Sequence, residues 1–328
     1  MTDPIALERR RTMLRTAFGP EIDRALVDPP VVEILVNPDG ALRLDRLGEG
    51  VVDTGVRLDP AQVERIIRLV AAHARSEAHS GAPIVSAELP PYGRGAGERF
   101  EGILPPVATA PCFAIRKPAL RIHTLTDYVA DAIMSPHAAT LLAAAVRNRR
   151  NIVVAGGTSS GKTTLANALL AEMAGADERV IVIEDTRELQ SPAADTVALR
   201  ARPGATIAEL VRATLRLRPD RIVVGEIRGP EALDLLKAWN TGHPGGIATV
   251  HANSAAAALP RLEQLVQEAT PSVPRALIGQ AVQVIVFLAG RGTARRVETI
   301  AEVDGLDAAG NYRLRTLALD PPNQGEPR

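Results

Sequence analysis

The sequence is poor in several features that would each point to a particular class of protein. Its single cysteine, Cys112, excludes an intrachain disulfide and a four-cysteine zinc site, and fits a reducing compartment. Aromatic residues make up 2 %, and Lys+Arg and Asp+Glu are both 38, so neither base stacking nor a basic surplus indicates nucleic acid as the main ligand. No apolar run approaches the ~20 residues of a membrane span, and residues 1–20 lack a signal-peptide apolar segment. We therefore expect a cytoplasmic protein, which could still dock on a membrane complex.

One stretch, GGTSSGKTT at residues 156–164, matches the phosphate-binding pattern G-x-x-x-x-G-K-[ST] at every fixed position. An apolar run at 151–155 precedes it and a helix-forming run at 164–173 follows, which predicts the strand–loop–helix setting of a nucleotide site. Lys162 can reach the β- and γ-phosphates and Thr163 can ligate Mg²⁺. The structural alternative to a nucleotide site is a Gly/Ser-rich turn that binds no ligand. We predict that the triphosphate is bound by Gly157, Thr158, Ser159, Ser160, Gly161, Lys162, Thr163 and Thr164.

Hydrophobic patterns divide the chain into two domains with a linker between them. Residues 1–118 form a smaller N-terminal α+β domain, with predicted helices at 5–28 and 60–78 and strands at 31–36, 41–46, 98–104 and 112–117. Residues 119–125 are the predicted linker. Residues 126–328 alternate strands and helices, which predicts an α/β domain with a mostly parallel sheet, helices on both faces and a terminal hairpin at 297–318.

Acidic side chains follow two of the predicted strands. Glu184 and Asp185 end the strand at 179–183, where they could hold Mg²⁺, with Asp185 as the metal ligand, or orient water. Glu226 follows the strand at 221–224 and could polarise water for attack on the γ-phosphate. A capping turn at 184–185 and a surface ion pair between Glu226 and Arg228 are the structural alternatives.

Basic side chains complete the set of candidates. His251 follows the strand at 246–250 and could sense the γ-phosphate, although a histidine taken alone is more often structural. An arginine commonly neutralises the charge that develops during phosphoryl transfer. Arg99, Arg116, Arg216 and Arg218 are candidates for that role, and Arg99 and Arg116 lie on predicted strands close to the linker. The structural alternative for Arg99 and Arg116 is a surface cation.

Four segments, taken together, resemble the motifs of the secretion traffic ATPases of type II and type IV secretion. They are GGTSSGKTTLANALL (156–170), VIVIEDTREL (180–189), LRLRPDRIVVGEIRG (215–229) and TGHPGGIATVHANS (241–254), which are similar to that family's Walker A, Asp box, Walker B and His box. The segments VVEILVNPDGALRLDRLG (31–48), GAPIVSAELP (81–90), GERFEGILPPV (97–107) and CFAIRKPA (112–119) resemble TrbB-type ATPases, the conjugal-transfer branch of the type IV group. The resemblance covers most of the chain.

The resemblance implies a RecA-like ATPase domain, a homohexamer, and ATP with Mg²⁺ bound between the two domains. Lys162 and Thr163 would hold phosphate and metal, Glu226 would be the Walker B acid, and Glu184 and His251 would belong to the Asp and His boxes. Arg99 and Arg116 match arginines that reach the nucleotide from the N-terminal domain. Expected partners are the inner-membrane components of a conjugation channel. Gly225 departs from the general phosphate-loop pattern but is usual in this family.

Three functions are compatible with these motifs. The first is a ring ATPase that powers a type IV conjugation channel, and this is the reading we favour. The second is a RecA-like nucleic-acid motor of the helicase type, which the neutral charge and scarce aromatics disfavour. The third is a nucleotide-gated scaffold without turnover, which the presence of Lys162, Glu226 and His251 disfavours.

Overall fold

A computed structural model describes residues 4–90, 97–118, 122–202 and 204–320. The chain divides into two compact units, residues 1–120 and 121–328. Three positions of the predicted linker, 119–121, lie outside the described residues. Residues 122–124 lead directly into a short helix, where the Thr124 side chain accepts the backbone N–H of Asp127 and Asp127 reciprocates in a capping box.

The first unit is a mixed helix and sheet layer. Its elements are helix α1 (Pro4–Val27), strands β1 (Val31–Val36), β2 (Ala41–Arg46) and β3 (Gly50–Arg57), helix α2 (Pro60–Ala74), and strands β4 (Ile84–Glu88), β5 (Arg99–Ile103) and β6 (Cys112–Arg116). The strands form an antiparallel sheet in the order β3-β2-β1-β6-β5-β4. α1 and α2 pack on it through a core that includes Phe18, Ile34, Ile67 and Phe100.

The predicted elements of this unit are present, with two differences. α1 is broken at Gly19, which has φ +80°, and Pro20 begins the second helical segment. α2 ends at Ala74 rather than at residue 78, because Arg75 adopts a left-handed conformation that closes the helix. β3 and β4 were not predicted; both are edge strands of the sheet.

The second unit contains the predicted strand–helix alternation. Its elements are α3 (Leu125–Ala130), α4 (Pro136–Arg147), β7 (Ile152–Gly156), α5 (Lys162–Ala171), β8 (Arg179–Glu184), β9 (Asp195–Arg200), α6 (Ile207–Thr214), β10 (Arg221–Ile227), α7 (Glu231–Asn240), β11 (Ile247–His251), α8 (Ala255–Gln267), α9 (Arg275–Ala281), β12 (Val284–Ala289), β13 (Arg296–Leu306) and β14 (Tyr312–Thr316). The strand order is β14-β13-β12-β7-β11-β10-β8-β9. Strands β12 to β9 in that order run parallel, and β13 and β14 form the antiparallel terminal hairpin.

Helices cover both faces of this sheet, as predicted. One core layer joins the sheet to α3, α4 and α5 through Tyr128, Leu142 and Leu165. The other joins it to α6, α7, α8 and α9. The parallel strands β7, β8 and β12 are buried on both faces, which explains their continuous apolar runs. Among the described residues, none of the helices combines the length and apolar character that crossing a bilayer requires.

Candidate active site

The phosphate-binding motif forms the connection between β7 and α5. Residues 157–161 leave the buried strand and turn into the helix, which begins at Lys162. Gly161 caps the helix with φ +92°, a conformation that a residue with a side chain rarely adopts. The loop therefore brings backbone N–H groups to the positive end of α5, which is a favourable site for phosphate.

Lys162 is directed toward the neighbouring strand end. It is buried (7 % exposed), and its Nζ donates to the carbonyl of Gly157 at 2.9 Å. The same Nζ lies 3.4 Å from each ring nitrogen of His251, which ends β11. The structure thus brings together two residues, Lys162 and His251, that the sequence placed in separate motifs.

His251 links Lys162 to Glu226. Its Nε2 lies 2.8 Å from Glu226 Oε1, a close approach rather than an aligned hydrogen bond, because that buried oxygen accepts none from the described residues. Burial and the ammonium of Lys162 lower the pKa of His251, and the carboxylate of Glu226 opposes that effect. The imidazole is therefore held in its neutral form at neutral pH.

Glu226 also forms the ion pair that the sequence left open as an alternative. Arg228 Nε donates to Glu226 Oε2 at 2.8 Å, and Arg228 Nη1 donates to Asp185 Oδ2 at 2.6 Å. Arg228 therefore ties the end of β10 to the end of β8. No sequence motif gave Arg228 a functional role. Its spacing of two from Glu226, which puts both side chains on one side of an extended segment, is the signal that could have done so.

Glu184 is arranged quite differently from Glu226. It is 4 % exposed, and its Oε1 accepts the backbone N–H groups of Glu188 and Leu189 at 3.0 and 2.9 Å. Burial raises the pKa of Glu184 to about 7, although these two hydrogen bonds act in the opposite direction. The Glu184 side chain thus holds the turn after β8, which is the structural role that the sequence left open as an alternative.

The absence of a side chain at position 225 follows from this arrangement. A Cβ at Gly225 would lie 3.0 Å from Glu184 Cγ and 3.3 Å from its Oε1. The carbonyl of Gly225 accepts a hydrogen bond from Thr249 Oγ1 at 2.7 Å. The strand end is therefore fixed from both sides, and the acidic residue falls one position later, at Glu226.

The candidate metal ligands are Thr163 and Asp185. Among the described residues there is no group of three or more His, Cys, Asp or Glu side chains that could hold a metal ion. Thr163 lies in the first turn of α5, where a hydroxyl and phosphate oxygens together suit Mg²⁺. Asp185 holds Arg228 with one oxygen and accepts the N–H of Thr186 with the other at 2.8 Å.

Arg99 and Arg116 lie in the first unit. They are paired in register on β5 and β6, with Glu33 opposite Arg116 on β1 and Glu88 opposite Arg99 on β4. Arg116 has a side chain that is 52 % exposed and lies 3.8 Å from Glu33. The row therefore has two central cations with a carboxylate at each end, and the carboxylates offset the repulsion between the two arginines.

Comparison with known proteins identifies the class and then the family. The family described as "Type II/IV secretion system protein" matches residues 63–295. The chain is 47 % identical to the conjugal transfer protein TrbB of Rhizobium radiobacter over 294 residues, covering 89 % of this chain and 90 % of that protein. It is 34 % identical to the type IV secretion system protein VirB11 of Bartonella henselae over 244 residues, 62 % of this chain and 67 % of that one.

Among solved structures, the pilus retraction motor PilT with bound ADP aligns with a TM-score of 0.61 at 21 % identity, covering 92 % of this chain and 83 % of that one. This similarity concerns the fold. The parallel sheet, with the phosphate-binding loop at its carboxyl edge, defines a RecA-like fold with an additional N-terminal unit. The chain belongs to the Type II/IV secretion system protein family.

Proposed function

We propose that this protein hydrolyses ATP to power a type IV secretion machine for conjugative DNA transfer. The observation that carries the proposal is the convergence of Lys162, His251 and Glu226 beside the phosphate-binding loop. The relatives described above are conjugal-transfer and secretion proteins, so the alternative of a helicase-type motor is not favoured.

The phosphate-binding loop would hold the triphosphate through its backbone N–H groups. Lys162 would exchange its contact with the Gly157 carbonyl for phosphate oxygens, where its charge offsets the charge that develops during transfer. Thr163 would hold Mg²⁺, and Asp185 would join it after releasing Arg228. When bound, Mg²⁺ neutralises phosphate charge and orients the γ-phosphate. The residues assigned to nucleotide binding are Gly157, Thr158, Ser159, Ser160, Gly161, Lys162, Thr163 and Thr164.

Glu226 would orient the attacking water and accept its proton. Its Oε1 is the oxygen without an aligned donor among the described residues, so it can accept a hydrogen bond from water. His251, neutral and adjacent to both Lys162 and Glu226, would donate to the γ-phosphate and so distinguish ATP from ADP. Glu184 would act through the turn that it holds rather than on the nucleotide itself.

Arg99 and Arg116 would supply the additional positive charge to the phosphates. Their adjacent positions on β5 and β6 support this role, because two neighbouring guanidinium groups could contact one anion. We further propose that the protein works as a homohexamer in the cytoplasm, with domains at 1–118 and 126–328 joined by 119–125. Inner-membrane channel components would hold it peripherally at the membrane.

The test is the rate of phosphate release by Lys162→Ala compared with Lys237→Ala. Lys237 is exposed on α7 and serves as a matched control for removing a lysine. We expect Lys162→Ala to lower turnover by at least ~100-fold, the scale of losing one transition-state contact, and Lys237→Ala to match the wild type. Turnover by Lys162→Ala within about threefold of the wild type would contradict the proposal. A strong dependence of the wild-type rate on single-stranded DNA would instead favour a nucleic-acid motor.

A further inference from the structure

Besides Lys162, a second cation of the unit 121–328, Arg295, lies against the phosphate-binding loop. The connection from β12 to β13 contains a 3-10 turn, Gly292–Ala294, and delivers Arg295 back toward the sheet. A Cβ placed on Gly161 would lie 2.8 Å from Arg295 Nε and 2.9 Å from its Cζ. The guanidinium of Arg295 therefore packs directly on the residue that caps α5.

Arg295 lacks an anionic partner in the described part of the chain. Its Nε is buried and forms no hydrogen bond with any described residue, and no described carboxylate forms an ion pair with it. Its neighbour Arg296, in contrast, is exposed and pairs with Glu298. Burying part of a cation without an acceptor is unfavourable, and an anion at the loop would offset that cost.

Arg295 and His251 flank the loop from opposite sides. Gly156, the last residue of β7, is in register with His251 of β11 on one side and with Leu288 of β12 on the other. Lys162, His251 and Glu226 occupy the first side. Arg295 follows β12 and therefore approaches from the second side, away from the proposed site of γ-phosphate chemistry.

We propose that Arg295 binds the part of the polyphosphate that ATP and ADP share, on the nucleoside side of the phosphate-binding loop. This inference rests on the proposed ATPase function and adds a binding residue that acts from the same unit as Lys162. Because the recognised group is phosphate, inorganic pyrophosphate should use the same contact. Because the contact does not involve the γ-phosphate, its loss should weaken ATP and ADP to the same extent.

The experiment measures equilibrium binding of fluorescent ADP and of a non-hydrolysable ATP analogue to the full chain, with displacement by unlabelled pyrophosphate. Arg295→Met keeps the apolar stem on Gly161 and removes the charge, and Arg295→Lys restores a charge. Arg296→Ala is the matched control. We expect Arg295→Met to weaken both nucleotides and pyrophosphate by about 10-fold or more, Arg295→Lys to recover part of that loss, and Arg296→Ala to match the wild type.

The outcomes separate this inference from the function on which it rests. Binding by Arg295→Met within about twofold of the wild type overturns the inference. A loss of affinity confined to the ATP analogue also overturns it, because Arg295 would then contact the γ-phosphate. A loss of nucleotide affinity that spares pyrophosphate overturns it as well, because Arg295 would then contact the nucleoside. If the wild type binds neither nucleotide, or if Lys162→Ala keeps the wild-type rate of phosphate release, the proposed function itself fails. Thermal unfolding without nucleotide verifies that each variant is folded.

Discussion

Glu184 and Glu226 stand at the ends of adjacent strands, and they have the same side chain in opposite surroundings. Glu184 is enclosed at the end of β8, where its Oε1 receives two backbone N–H groups from the following turn. Glu226, at the end of β10, faces the cation Arg228 and the imidazole of His251. The carboxyl group of Glu184 is suited to holding the backbone of the turn in place. The carboxylate of Glu226 is suited to exchanging its side-chain partners for water. Position at a strand end therefore identifies a candidate acid, and the partners of its oxygens indicate what it does.

The largest effect should come from removing the charge of Glu226. Glu226→Gln keeps the shape of the side chain but loses the base, so we expect turnover to fall by ~10²–10⁴-fold with nucleotide binding retained. Phosphate release and equilibrium binding measure the two quantities separately. Glu172→Gln, at the far end of α5, is the control and should match the wild type. If Glu226→Gln loses binding instead, Glu226 is a structural residue or a metal ligand, and the contrast with Glu184 disappears.

The next effect concerns the contribution of Glu184 to stability. A neutral glutamine at this position should accept the same hydrogen bonds as the carboxyl group. Glu184→Ala leaves the N–H groups of Glu188 and Leu189 without their acceptor, so we expect the free energy of unfolding to fall by roughly 2–3 kcal/mol. Glu184→Gln retains an acceptor oxygen and should lose less than about 1 kcal/mol. Chemical denaturation of both variants provides the measurement. A loss of stability in Glu184→Gln as large as in Glu184→Ala would mean that the negative charge, not the acceptor, holds the turn.

The smallest effect is the part of the pH dependence of stability that Glu184 contributes. Burial raises the pKa of Glu184 to about 7 from 4.5, so the folded chain binds its proton more readily than the unfolded chain. The resulting stabilisation is complete below the unfolded pKa and is lost as pH rises through the folded pKa. We expect the wild type to lose on the order of 1–2 kcal/mol relative to Glu184→Gln between about pH 5 and pH 7.5. Parallel stability profiles for the two proteins would refute the raised pKa.

The sequence was most informative where local pattern alone determines the structure. The phosphate-binding loop, the buried parallel strands and the terminal hairpin were predicted because turn residues and continuous apolar runs are visible within each segment. The elements that were missed include β3, β4 and β9 at sheet edges and the short helices α3 and α9. Edge strands bury little of their surface, and short helices show few turns of periodicity, so tertiary contacts rather than pattern define them.

Within the candidate site, the residue types were predictable and their partners were not. The motifs identified Lys162, Glu226 and His251, but their mutual contacts depend on the parallel order of β7, β11 and β10. The enclosure of Glu184 depends on the path of the chain after β8. Arg295 lies far downstream of the phosphate-binding motif and has no motif of its own, so only the fold shows that it lies beside Gly161.

The close approach of Gly225 and Glu184 also has a consequence for how this site can change over evolutionary time. A methyl group at position 225 would lie 3.0 Å from Glu184 Cγ, so even an alanine there would require the Glu184 side chain to shift. A descendant that acquired an Asp at 225, as many phosphate-loop enzymes have at this strand end, would first need a smaller residue at 184. That residue would then leave the turn after β8 without its acceptor. An acid at position 226 avoids both costs, because it leaves Gly225 and the acceptor of the turn unchanged.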